Sequence, residues 1–141
     1  MNGAMETPRL KLKDISFKAV IAGALVDNLG TMFSMSLLIM ALASTGLQES
    51  EVSGRMKNLS GLLLSLIIGL GWTMAGGYTA ARMAKRDELL HGALVAVVGI
   101  VIALVFREKG IPVWFEILGL VCMLPAGMAG GYQAKQRRMR T

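Results

Sequence analysis

Met74-Ala75-Gly76-Gly77-Tyr78-Thr79-Ala80-Ala81-Arg82-Met83-Ala84-Lys85-Arg86-Asp87-Glu88-Leu89-Leu90-His91-Gly92-Ala93-Leu94-Val95 is the stretch whose reading decides the fold. An apolar run ends in paired glycines and a tyrosine, a basic-then-acidic segment turns the chain, and a second apolar run starts at once. Three cations at the end of one run and two acids at the start of the next are where helix dipoles favour them. The pattern is a membrane hairpin seen at its polar end.

Composition agrees. The 141 residues are 54% hydrophobic and 17% charged, with mean hydropathy +0.57, more apolar surface than a soluble domain of this length can bury. Most of the 17 glycines sit inside apolar runs, where small residues let helices approach closely in lipid. The net charge of +6 flanks the apolar runs and has no aromatic residues interleaved for base stacking, which argues against a nucleic-acid partner. The single cysteine, Cys122, cannot form an internal disulfide.

Outward from the hairpin, four apolar runs are long enough to cross a hydrocarbon core of roughly 30 Å. They cover residues 19–43, 59–81, 89–106 and 114–134, with Pro112 placed to start the last and Pro125 inside it. An all-α, four-span membrane domain over residues 19–134 is therefore expected, built as two tandem hairpins. Residues 1–18 read as an N-terminal tail and residues 135–141 as a basic C-terminal tail. Ala41-Leu42-Ala43 imitates a signal-peptidase site, but the run before it is too long for a signal core and contains Asp27. Residues 44–58 form the longest polar connection, and Leu47, Val52, Met56 and Leu59 allow a short interfacial helix there. Eleven Lys and Arg lie in the two tails and the turn after span two, against four in the other connections. This asymmetry predicts that both termini are cytoplasmic.

The chain also repeats. Gly23-Ala24-Leu25-Val26 with Gly30 returns as Gly92-Ala93-Leu94-Val95 with Gly99, and Met74 to Tyr78 returns as Met128-Ala129-Gly130-Gly131-Tyr132. Spans one and two thus correspond to spans three and four in the same orientation, a parallel repeat.

Small residues recur every four positions through span two at Gly61, Ser65, Gly69, Thr73, Gly77 and Ala81. Span four has Ala126, Gly130 and Ala134 beside Gly127 and Gly131. These ridges are expected to pack helices closely, within the bundle or against another chain, so Gly69→Leu is expected to force helices apart. Asp27 is the one charge within span one and must face protein or water. It shares a small, polar face with Gly23, Gly30, Thr31 and Ser34, and the expected hydrogen-bond partners are Thr31 or Thr73, or the Val121 carbonyl freed by Pro125. Asp27, Thr31 and Thr73 form the candidate proton or cation site.

Other chemistry is sparse. His91, the only histidine, reads as an interfacial residue; one histidine and one cysteine make no metal site. Gly69-Leu70-Gly71 lacks the third glycine and the preceding strand of a dinucleotide turn. No catalytic residue, cofactor or metal is predicted, and the chain is read as a non-enzyme. Partners are the bilayer, a second copy or a membrane protein, and anionic headgroups at the basic ends.

Gly76-Gly77-Tyr78, Ala80-Ala81-Arg82, Lys85-Arg86 and Leu90-His91-Gly92-Ala93-Leu94-Val95 resemble a group of uncharacterised small four-span bacterial inner-membrane proteins. That resemblance, strongest over residues 70–100, implies a bacterial inner membrane and four helices, and it implies no activity. In architecture alone the chain is similar to small multidrug transporters, with Asp27 where a glutamate is expected, a longer polar connection and additional tails. Two functions follow. One is a non-enzymatic membrane module that packs through its glycine ridges; the other is a minimal proton- or cation-coupled transporter using Asp27. Only Phe33 and Trp72 are expected near Asp27 as aromatic residues, few for an organic-cation site, which favours the module.

Overall fold

Ser16 opens the first helix: its Oγ accepts the Ala19 N–H at 3.4 Å, so one of the unpaired donors of the helix start is met. In the computed structural model, which describes residues 15–107 and 109–140, five helices follow in order. They are α1 (Phe17–Ala43), α2 (Glu49–Lys57), α3 (Leu59–Ala84), α4 (Glu88–Val105) and α5 (Val113–Met139). Among the described residues there is no strand. All helices but α2 are long and apolar enough to cross a membrane.

The expected spans are all present, but several of their ends move, and α3 continues through Arg82 to Ala84. Phe17 and Lys18, read as tail, already belong to α1. The basic segment after residue 134, also read as tail, continues α5 as far as Met139. Nothing in Lys135-Gln136-Arg137-Arg138 breaks a helix, and the cations lie at the C-terminal end, where the dipole favours them. The N-terminal tail up to residue 14 lies outside the described residues.

The connections have local causes. Gly46 takes φ +81° after α1 and Gly110 takes φ +90° before α5, a left-handed conformation that costs glycine little. Asn58, extended at φ −74° and ψ 168°, ends α2 and caps α3, accepting the Gly61 N–H on Oδ1 at 2.9 Å. At the α4–α5 turn, Arg107 grips Glu116 with two contacts, Nε–Oε1 at 2.9 Å and Nη2–Oε2 at 2.6 Å. That carboxylate holds the Arg107 guanidinium still more firmly in its charged form.

α3 is the central helix, touching α1, α4 and α5, whereas α1 and α5 do not meet. The tight half of the bundle is the half nearest the termini. There the glycines bring backbones together: a Cβ on Gly23 would stand 2.5 Å from the Gly76 carbonyl oxygen, and one on Gly76 would stand 2.5 Å from that of Gly23. Gly92 and Gly127 oppose each other in the same reciprocal way. Ala80, Ala81, Val95 and Ala96 are sealed in this half, while Ile21, Leu25, Leu29, Ile67, Val101 and Val121 face outward. A small-residue interior with an apolar exterior is the arrangement lipid favours.

Candidate functional site

Towards α2 the helices part. A cleft of about 650 Å³ runs from Glu49 and Lys57 at the α2 end down to Asp27, Thr73 and Gly99 at its base. From Leu62, which also lines it, to Thr73 is eleven residues of helix, or roughly 16 Å of depth. The walls carry a polar strip, including Asn28, Thr31, Ser53 and Ser65, and an adaptable apolar lining of Met32, Met35, Met56 and Met123.

Asp27 is 4% exposed. Thr73 Oγ1 lies 3.0 Å from Asp27 Oδ1 and, on its other side, 3.1 Å from the Gly69 carbonyl oxygen. A hydroxyl has one proton and two lone pairs, so it cannot donate to both acceptors at once. With Asp27 ionised, Thr73 donates to the carboxylate; with Asp27 neutral, the carboxylic acid donates to Thr73, which donates to Gly69. The same three atoms give Oδ1 a partner in both protonation states. Asp27 Oδ2 has no hydrogen bond among the described residues and lies against Gly99, where a Cβ would stand 3.2 Å from it.

Several sequence expectations are redrawn. Thr31 lines the cleft one turn above Asp27 and is not its partner; Thr73 is. Val121 is 64% exposed and does not line the cleft that Asp27 lines. The span-two ridge does not pack along its length, because the helices diverge. Gly61 meets the Arg55 and Met56 carbonyls at the α2 corner, and Ser65 and Gly69 line the cleft. A Cβ on Gly69 would meet nothing within 4 Å, which overturns the expectation that Gly69→Leu forces helices apart. Close packing starts one turn below Thr73: Gly77 faces the Gly127 carbonyl, Gly130 that of Met74 and Gly131 that of Glu88.

The aromatic side chain in the cleft is Phe115, from the first turn of α5. Phe33 is 65% exposed on the outer surface, and Trp72 lies over Gly30 with its Nε1–H donated to Ser34 Oγ at 2.9 Å. Phe115 is remote from Asp27 in sequence and no local pattern marks it.

His91 does not face solvent. It is fully buried, its Nε2 accepts the Ser16 backbone N–H at 3.0 Å, and its Nδ1 lies 3.1 Å from the Asp87 carbonyl oxygen. The acceptor role of Nε2 places the ring proton on Nδ1, donated to Asp87. Beside it Glu88, also buried, pairs with Arg138 Nη1 at 2.8 Å, although its Oε1 receives no aligned hydrogen bond. Arg138 Nη1 also donates to the Lys85 carbonyl. Among the described residues no group of His, Cys, Asp or Glu is arranged to hold a metal.

Comparison with protein-family models, with curated proteins and with solved structures found no match.

Proposed function

We propose that this is a small proton-linked membrane carrier of a cationic solute, in which Asp27 exchanges a proton for the cation. The observation that supports this reading is Thr73 Oγ1 between Asp27 Oδ1 and the Gly69 carbonyl, at 3.0 and 3.1 Å, a setting in which the Thr73 hydroxyl can serve Asp27 Oδ1 in either protonation state. A membrane-embedded acid that faces a cleft is by default a functional group. The cleft volume falls in the range of small-molecule sites, roughly 300–1,000 Å³.

The alternative, a module that associates through glycine ridges, needs those glycines to be available. Gly23, Gly76, Gly77, Gly92, Gly127, Gly130 and Gly131 are each already met by a backbone atom of this chain. That leaves the cleft as the better-supported centre of function. The charge asymmetry supports cytoplasmic termini, an orientation in which the cleft opens away from the cytoplasm. Arg82, Arg86 and Arg140 then stand at the cytoplasmic surface, where they suit anionic headgroups.

The deciding experiment is proton release from the purified protein in weakly buffered detergent on addition of a panel of organic and inorganic cations. Release from the parent that vanishes in Asp27→Asn is expected. No release from the parent across the panel overturns the proposal.

A further inference from the structure

A second crevice, of about 280 Å³, lies outside the bundle where the ends of α1, α2 and α3 meet. Its walls are Leu38, Leu42 and Leu64, and its rim is Arg55, Asn58 and Ser60. Leu42 stands one residue before the end of α1, with Leu38 roughly 6 Å deeper, and Leu64 is roughly 7 Å inside the start of α3. The crevice therefore begins at the level where α1 ends and runs down into the hydrocarbon.

The rim is a set of donors without acceptors. Asn58 Oδ1 is taken by the Gly61 N–H at 2.9 Å, which leaves the amide NH₂ to donate outward. Glu51, one turn before Arg55 and its natural partner on the helix face, has Oε2 occupied by the Gln48 N–H at 2.9 Å. Arg55 and the Ser60 hydroxyl have no partner among the described residues. No carboxylate lines the crevice.

We propose that this crevice binds one phospholipid, with its phosphate on Arg55, Asn58 and Ser60 and one acyl chain along Leu38, Leu42 and Leu64. A guanidinium fork flanked by neutral donors matches phosphate oxygens. Three leucines below it match a chain rather than a free anion. The lipid would tie α2, which forms one wall of the Asp27 cleft, to the ends of α1 and α3. The proposal does not depend on the reading of Asp27.

The test is native mass spectrometry of protein exchanged into detergent with equal amounts of phosphatidylglycerol and a phosphate-free diacyl glycolipid. The parent is expected to retain one phospholipid in preference to the glycolipid. Arg55→Gln, an exposed substitution, should lower retention roughly tenfold, as loss of a charged hydrogen bond does. Leu42→Trp, which fills the trench and leaves every donor in place, should do the same. Arg140→Gln, at the opposite end, should change nothing, and melting in lipid-free detergent should stay at the parental temperature in Arg55→Gln. Parental retention in both Arg55→Gln and Leu42→Trp overturns the proposal. So does loss on Arg140→Gln alone, or displacement of the lipid by millimolar inorganic phosphate.

Discussion

Thr73 Oγ1 lies 3.0 Å from Asp27 Oδ1, and at the corresponding positions of the second repeat unit stand Gly127 and Ala96, again opposed across a helix pair. A Cβ on Gly127 would come within 2.9 Å of the Ala96 Cβ. One unit of the repeat thus carries a polar pair at this level and the other a close backbone approach. The polar pair holds α1 and α3 at the base of the cleft; the small pair lets α4 and α5 close the tight half.

Thr73→Val keeps the shape of the side chain and removes the hydroxyl that serves both protonation states of Asp27. The unfolding free energy in detergent should fall by about 0.6–1.7 kcal/mol, the range for interhelical hydrogen bonds in membranes. Asp27→Asn, which can keep a hydrogen bond to Thr73, should melt close to the parent. Thr73→Val melting like the parent would mean that the carboxyl is held by something other than Thr73.

Gly127→Ala and Gly69→Ala separate the sealed half from the open one. A Cβ at 127 meets the Gly92 carbonyl and Ala96, both on α4, so two helices must move apart, at about 1–3 kcal/mol. At 69 it meets only the cleft. Thermal unfolding should therefore fall clearly for the first variant and stay parental for the second. Gly69→Leu should remain folded and reduce cation binding by filling the cleft.

The length and apolarity of the runs made the four spans legible in the sequence, and the glycine pairs made the helix contacts of the tight half legible too. Asp27 and Thr73 could be matched because both lie at countable depths from helix ends. The divergence of the helices could not be read. The spacing that packs Gly77 continues unchanged through Gly69, and only the interposed α2 and the large side chains of the cleft decide where contact stops. The burial of His91 is illegible for a related reason. A polar residue near a helix start is usually wet, and its burial depends on Ser16, a residue 75 positions away.

His91→Leu should test that link. The substitution leaves the Ser16 N–H at the start of α1 without its acceptor and the Asp87 carbonyl without its donor. A loss of roughly 1–3 kcal/mol is expected, with faster amide hydrogen exchange at the first turn of α1. Parental exchange at Ser16 would show that the ring does not hold the helix start.

Sidedness is tested by single cysteines in a Cys122→Ala background. Glu51→Cys and Lys109→Cys should react with an impermeant maleimide in intact cells, whereas Arg86→Cys and Arg140→Cys should react only after lysis. Labelling at position 86 from outside would invert the orientation and turn the cleft towards the cytoplasm.

Arg138 joins the end of α5 to the α3–α4 turn, a segment with two left-handed non-glycine residues, Lys85 at φ 57° and Asp87 at φ 45°. Each such residue is conformationally unfavourable by about 1–3 kcal/mol and persists only where its surroundings hold it. Arg138 does so twice, by donating to the Lys85 carbonyl and by lying 2.8 Å from the buried Glu88 carboxylate. Arg138→Gln should leave Glu88 without its counter-charge, at about 1–3 kcal/mol, below the range for a fully buried pair because the guanidinium is half exposed. The double variant Arg138→Gln with Glu88→Gln should recover part of that loss, since no unpaired charge remains. Lys85→Gly should independently stabilise the turn by relieving its backbone. If Arg138→Gln melts like the parent while Glu88→Gln alone destabilises, Glu88 is held by the α4 helix start and not by α5.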